Sequence, residues 1–370
     1  MRWDLFCKVI DNHGDLGVCW RLAAQLAARG ETVRLWVDDG AALQWMAPAG
    51  SENVEVIDWA QPAAVAAALH APAPDVLVEA FGCDPDTGLI AQFAREARTG
   101  DAPRVWLNLE YLSAEPYVER LHTLPSPVFK GPGEGLTKYF FYPGFTTATG
   151  GLLREPDLRQ QQADFDRAAW LAVQGVDRHP DELLVLLFCY EPMALAGLLA
   201  QWTDGASRVR LLVTAGRASA AVHAALGTTA GTPCTERGML SVQHLPLLAQ
   251  RDFDRLLWSC DLNFVRGEDS LVRALWAGRP FVWQIYAQDD DAHHVKLNAW
   301  LDAIDAPASL RRFHHAWNGI DNMSVEPPGP DVLASWSAAV QAAQGALHNQ
   351  DDLVTQLLQF VQERRVLHRN

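Results

Sequence analysis

The chain is short of the features that mark nucleic-acid-binding, membrane or secreted proteins. Cationic residues are in deficit: 30 Lys and Arg against 45 Asp and Glu leave a formal net charge of −15. That balance disfavours the sequence-independent grip on phosphate backbones that a basic surface provides. No apolar run reaches the roughly 18 residues of a membrane span, and the opening Met1, Arg2, Trp3 and Asp4 do not read as a secretory leader. The six cysteines are scattered without a C-x-x-C pair, so neither a disulfide framework nor a structural zinc site is expected. The G-x-G-x-x-G fingerprint of dinucleotide sites is missing, which argues against a dehydrogenase. Solenoid repeats and low-complexity tails are absent as well. The expectation is a cytoplasmic protein that needs neither nucleic acid nor membrane.

What is present reads as α/β. Hydrophobic residues make up 49% of 370, enough for a large core, and the length suggests two domains at about 100–200 residues each. Residues 3–10 form an apolar strand pattern ending at Asp11, followed by turn chemistry over 11–17. Cys19, Leu22, Ala23 and Leu26 then recur at helical spacing, with Gly30 as the stop. Extended patterns return at 32–37, 54–57, 75–79 and 104–109. A second series begins near Glu182, with strands over 183–189, 208–214, 241–245, 262–265 and 280–285 and a helix over 192–202. Strands alternating with helices imply parallel sheets covered on both faces. The predicted architecture is two Rossmann-like domains facing across a cleft, residues 1–178 and 179–349. One helix is expected over 163–174 and a linker over 175–180. After the break Pro327-Pro328-Gly329-Pro330, a final helix within 350–370, with the stripe Leu353, Leu357, Phe360 and Val361, is expected to tie back to the first domain.

Ligands of such sheets bind beyond the carboxyl ends of the strands, and three constellations fall there. Asp11 and Asp15 share a loop with Gly14 and Gly17; they supply a cleft with two carboxylates, or simply cap a turn and a helix. Val265-Arg266-Gly267-Glu268-Asp269-Ser270 reads as a strand, a glycine turn and a helix starting at Asp269 or Ser270. A helix start with an adjacent Arg266 suits phosphate, and Glu268 suits a sugar hydroxyl or a cation; capping and a surface ion pair explain the same residues. Phe188, Tyr190, Phe253 and Tyr286 stand at strand ends, where aromatics sandwich a base or fill a core. Asp289-Asp290-Asp291 with His293 and His294 reads as a dipole-compensating cap rather than a metal site. Gly150-Gly151 is a flexible turn or a close approach to a ligand.

Taken together, F-C-K-V-I-D-N-H-G-D-L-G-V-C-W-R-L (6–22), N-L-E-Y-L-S-A-E (108–115), T-G-G-L (149–152) and V-R-G-E-D-S (265–270) resemble the bacterial EarP family, protein-arginine rhamnosyltransferases acting on translation elongation factor P. The resemblance runs over almost the whole chain. It implies a GT-B fold and inverting transfer of L-rhamnose from TDP-β-L-rhamnose to an arginine nitrogen of elongation factor P, which then relieves ribosomes stalled at polyproline. It implies no metal and no cofactor beyond the donor. By the same resemblance Asp11, Asp15 and Glu268 match the catalytic acids. Phe188, Tyr190, Gln250, Phe253, Arg266, Asp269, Ser270 and Tyr286, with Gly17, match the nucleotide-sugar pocket.

The chemistry suits those residue types. A guanidinium with a pKa above 12 is a poor nucleophile, but paired carboxylates can orient it and take its proton as the C–N bond forms. Arg266 then faces the charge that develops on departing diphosphate. A GT-B sugar-nucleotide 2-epimerase and a non-catalytic nucleotide-sugar-binding module are the alternatives that the residues leave open.

Overall fold

The computed structural model describes residues 1–9, 13–100, 103–229, 231–288, 291–321 and 323–367. They form two compact units, Met1–Glu155 with Asn349–Asn370, and Pro156–His348.

The first unit runs β1 (Arg2–Cys7), α1 (Gly14–Ala28), β2 (Thr32–Val37), α2 (Leu43–Met46), β3 (Val54–Asp58) and α3 (Pro62–Leu69). It continues through β4 (Val76–Ala80), α4 (Thr87–Thr99), β5 (Val105–Leu109), α5 (Tyr117–Leu121), β6 (Pro125–Pro127) and β7 (Thr137–Phe141). The sheet order is β3-β2-β1-β4-β5-β7-β6. Side chains alternate across β1 as the pleat demands. Trp3, Leu5 and Cys7 pack with α1 residues such as Leu22 and Leu26, whereas Phe6 packs on the other face with Trp36, Phe93 and Trp106. Asp4 and Arg34, neighbours in register, pair through two hydrogen bonds of 2.6 and 2.7 Å on that second face.

The second unit begins with α6 (Leu158–Ala163), α7 (Arg167–Val173), β8 (Leu183–Leu187), α8 (Leu195–Asp204), β9 (Val209–Val213) and α9 (Arg217–Leu226). Then come β10 (Cys234–Arg237), β11 (Leu240–His244), α10 (Gln250–Ser259), β12 (Leu262–Arg266), α11 (Gly267–Ala277) and β13 (Phe281–Gln284). It closes with α12 (Ala292–Ala303), α13 (Ala308–Trp317) and α14 (Pro330–His348), after which α15 (Leu353–Leu367) rejoins the first unit. The sheet order is β10-β11-β9-β8-β12-β13.

Three sequence expectations change. The helix expected over 163–174 is α7, which starts only at Arg167 because the Asp166 carboxylate accepts from the Ala169 N–H, and a further helix, α6, precedes it over the polar stretch. These helices, assigned on sequence to the first domain, belong to the second unit. Gln162 donates to the Trp276 carbonyl, Arg167 pairs with Asp261 at 2.7 Å, and Phe165 meets Trp258 edge-on. The units therefore divide after Glu155 rather than after residue 178. Finally, the sheets are not wholly parallel: β6 and β10 pair antiparallel at the edges. Both are short and polar or proline-bearing, as edge strands are, and carry no apolar run to betray them.

The last helix packs as the stripe predicts. Leu353, Leu357, Phe360 and Val361 are buried against the first unit's core, each worth about 1.5–3 kcal/mol of burial. Arg29 holds Asp352 bidentately at 2.7 Å, and the Leu353 N–H donates to the Leu152 carbonyl. This junction explains the Gly150-Gly151 pair. Gly151 has φ +70°, and a Cβ there would lie 2.6 Å from the Asp351 carbonyl. One at Gly150 would meet the Phe141 ring at 2.4 Å. Gly151 admits the returning chain, and Gly150 makes room for the Phe141 ring.

At the edge of the second sheet, α13 replaces a missing strand. The Trp283 N–H donates to His314 Nε2 at 2.9 Å, and the Ile285 N–H donates to the Asn318 side chain. His314 Nδ1 lies 2.9 Å from the Leu310 carbonyl, so its proton sits there and Nε2 is the acceptor. Burial pushes the imidazole down to about 3. A folded pKa below the unfolded value near 6.5 makes the unfolded chain the better proton acceptor, so this contribution to stability is complete above pH 6.5 and declines as pH falls toward 3. His314→Asn should therefore flatten the stability–pH curve by about 2 kcal/mol between pH 6.5 and 5. Urea unfolding of both proteins at the two pH values measures it; equal slopes would refute it.

Candidate active site

In each sheet the connections reverse direction at one point, and crevices for ligands open there. In the first sheet this point lies between β1 and β4; in the second it lies between β8 and β12. Among the described residues, Asp15 and Gly17 follow β1, Phe188 and Tyr190 follow β8, and Arg266 ends β12.

In the first unit, Asp11 lies outside the described residues. Asp15 is in the first turn of α1, half-buried, with the Tyr111 hydroxyl 3.4 Å from its carboxylate. A carboxylate in the first turn is favoured by the helix dipole. Gly17 is buried one half-turn further on, its N–H donating to the His13 carbonyl at 2.9 Å.

In the second unit, β8 ends at Leu187 and the chain presents Phe188 and Tyr190; β12 ends at Arg266, beside them. The Arg266 guanidinium lies 4.6 Å from the Phe188 ring centre and 4.7 Å from that of Tyr190, and it donates to the Cys189 carbonyl at 3.2 Å. Burial pulls the Arg266 pKa down, but guanidinium stays charged in proteins. The result is a cation held over two aromatic rings. Phe253, from α10, meets Phe188 edge-on at 5.2 Å, and Tyr286 meets Tyr190 at 5.8 Å. Tyr286 is 46% exposed, as a ring awaiting a ligand can be. Burial pushes the Tyr190 phenol up to about 12, so it stays protonated. Gln250 stands at the first position of α10, one turn before Phe253.

Gly267 gives the expected turn, but the helix begins at Gly267 itself rather than at Asp269 or Ser270. The strand passes directly into α11, with Arg266 as its cap and Gly267 at φ +69° making the corner. A Cβ there would lie 3.6 Å from the Tyr190 hydroxyl. The Ser270 hydroxyl closes this corner, accepting from the Arg266 N–H and donating to its carbonyl. Ser270 is thus buried and structural, correcting the expectation that it opens the helix. Glu268 is in an ion pair with Lys296.

Sequence reading missed Gln284, Arg217 and Lys296. Gln284 ends β13 nearly buried and accepts from the Tyr190 N–H at 2.8 Å; a lone amide closing the apolar run 281–283 was the available signal. Arg217 lies 4.8 Å from the Tyr190 ring and pairs with Glu191. Lys296 comes from a helix that sequence gives no reason to place beside Glu268.

Two other features fall elsewhere. Ligand atoms of Asp291, His293 and His294 lie within 4.8 Å of one another, while Asp289 and Asp290 are outside the described residues. His293 Nδ1 accepts from the Gln288 N–H at 3.1 Å. A cavity of about 410 Å³ lined by Arg178, Glu182, Arg208, Arg210 and Ser241 lies at the amino ends of β8 and β9, the opposite end of the sheet from Arg266.

Comparison with known proteins places this geometry. The family model for Elongation-Factor P (EF-P) rhamnosyltransferase EarP matches residues 3–362. The protein-arginine rhamnosyltransferase of Pseudomonas aeruginosa is 42% identical over 382 residues, covering 97% of this chain and 98% of its own. A solved structure describing EarP-mediated arginine glycosylation of translation elongation factor EF-P matches at TM-score 0.66 and 30% identity, covering 98% of this chain and 99% of that one. Spinosyn rhamnosyltransferase SpnG, solved with thymidine diphosphate, matches at TM-score 0.53 and 12% identity over 97% of this chain and 100% of its own, a likeness of GT-B fold. The chain belongs to the EarP family and is a protein-arginine rhamnosyltransferase of GT-B fold.

Proposed function

We propose that this enzyme transfers L-rhamnose from TDP-β-L-rhamnose to one arginine of elongation factor P, with inversion at the anomeric carbon, in the cytoplasm and without metal or cofactor. The observation that carries the donor half is the Arg266 guanidinium, held against Phe188 and Tyr190 at the start of α11. There Arg266 and the first N–H groups of α11 receive the diphosphate, and charge that grows on the departing phosphate meets donors already in place. Phe188, Tyr190, Phe253 and Tyr286, with Gln250, hold the nucleoside. Asp269 and the Glu268–Lys296 pair hold sugar hydroxyls, with Ser270 fixing the corner.

The first unit supplies the other half. Asp11 orients the guanidinium and Asp15 accepts its proton. No carboxylate strips a guanidinium beforehand; the attacked nitrogen becomes acidic only as it bonds to the anomeric carbon, and the proton then passes to Asp15 while the electron pair of the breaking C–O bond leaves with TDP. Attack opposite the leaving phosphate inverts the centre. Intact-mass analysis of elongation factor P after incubation with enzyme and TDP-rhamnose tests the whole reading. A gain of one deoxyhexose, lost when the target arginine is Lys, is expected; an unchanged mass, with the donor consumed in the absence of elongation factor P, would favour epimerisation instead.

A further inference from the structure

The segment N-L-E-Y-L-S-A-E is as distinctive as the two acidic motifs, yet nothing in the proposed reaction uses it. Its backbone leaves β5 at the carboxyl end of the first sheet and is fastened on arrival. The Glu110 N–H donates to the Phe141 carbonyl at 3.0 Å, and the Asn108 amide donates to the Glu110 carboxylate at 2.7 Å. Two residues beyond Tyr111, the buried Ser113 hydroxyl pairs with Glu115 through both its side chain and its N–H. A loop pinned on both sides of one residue fixes where that residue points.

That residue is Tyr111, 38% exposed. Its ring stacks on Phe81 with centres 4.6 Å apart and planes within 21°. Phe81 follows β4, on the other side of the β1–β4 switch point from Asp15, and its backbone has φ +57° with Gly82 at +69°. A bulky side chain in the left-handed region is uncommon and clusters at functional sites. Here the conformation is held by the Phe81 N–H donating to the Leu109 carbonyl at 2.8 Å, which ties the end of β4 to the end of β5. The Tyr111 hydroxyl, through its long contact of 3.4 Å, reaches the Asp15 carboxylate. A stacked aromatic pair, partly open to solvent, thus borders a carboxylate at the sheet's ligand-binding end.

We propose that Tyr111, backed by Phe81, is the platform on which the acceptor arginine lies, its ring taking the flat face of the guanidinium while Asp15 engages the edge. The proposal rests on the reading of Asp15 as the acceptor-side acid. A guanidinium is planar, weakly hydrated and stacks on aromatic faces, whereas an ammonium is a compact, strongly hydrated point charge. A ring beside a carboxylate therefore selects arginine over lysine by shape as well as charge. Tyr111 is a positioning residue in this scheme: it fixes the nucleophile and, through its hydroxyl, the Asp15 side chain.

Steady-state kinetics with elongation factor P and TDP-rhamnose separates the two roles. Tyr111→Leu should raise the acceptor KM about 3- to 30-fold, with TDP affinity and thermal midpoint unchanged. Tyr111→Phe, which keeps the ring, should hold the acceptor KM within about twofold and lower kcat alone. A Tyr111→Leu enzyme with wild-type acceptor KM overturns the platform, as does an equal rise in KM for Tyr111→Phe. Asp15→Asn in parallel keeps the premises apart: full turnover there defeats the reading of Asp15, whereas the acceptor KM of Tyr111→Leu judges the platform on its own.

Discussion

Asp15→Asn should lower kcat by about 10²- to 10⁴-fold, the range that general-base catalysis contributes, while TDP binds as in the wild type. The substitution is nearly isosteric and removes only the negative charge and the proton-accepting oxygen. Asp15 is in the first turn of α1, so its loss also costs the helix about 0.3–1 kcal/mol of dipole compensation, too little to unfold a domain of this size. The residues proposed to hold the donor, Phe188, Tyr190 and Arg266, belong to the other compact unit, which is why donor affinity reports independently. Rapid-quench turnover beside calorimetric titration of TDP measures the two. An Asp15→Asn enzyme with wild-type turnover would remove this carboxylate from the mechanism; one with lost TDP binding would mean that the variant damages the donor half and that the assignment of roles is wrong.

Arg266→Met should cost about 10²- to 10³-fold in kcat, as removal of a preorganised donor to a developing anion does, and should weaken TDP binding at least about tenfold. Methionine keeps most of the apolar length of the side chain while removing the cation that faces Phe188 and Tyr190, so the loss reads the charge. The magnitude follows from burial. The guanidinium is half-buried, with a desolvation that lowers its pKa, and a partly desolvated cation acts more strongly on a leaving phosphate than one in water. Lysine should not restore activity, because a compact ammonium lacks the planar, multi-donor head that meets both rings and the Cys189 carbonyl while facing the phosphate. Titration with TDP and single-turnover transfer decide it; an Arg266→Met enzyme that binds TDP within twofold of wild type would displace Arg266 from the diphosphate.

Much of the fold was legible because its signals are local. The apolar runs at 32–37, 183–189 and 262–265 each became a strand within two residues of the expected bounds, since a strand buried on both faces must be almost wholly apolar. The stripe Leu353, Leu357, Phe360 and Val361 announced a buried helix by its period alone. The edge strands β6 and β10 gave no such sign: a strand paired on one side and wet on the other carries neither a continuous run nor a long alternation. The division after Glu155 was hidden for a different reason. It depends on Gln162 and Arg167 finding Trp276 and Asp261 about a hundred residues away, and no local pattern encodes a partner at that separation.

The candidate site divides along the same line. The amino-acid order alone placed acids and glycines after the first strand and an arginine at the end of the strand that became β12, and through its resemblance to a family it pointed to protein-arginine rhamnosylation. Tertiary structure decided that Arg266 lies over Phe188 and Tyr190, that Ser270 closes a corner instead of opening a helix, that Glu268 is paired with Lys296, and that Tyr111 stacks on Phe81 beside Asp15. Residue type and strand-end position are properties of short segments, which periodicity exposes. Which ring a guanidinium meets depends on sheet order, and that order is set by packing between strands far apart in the chain.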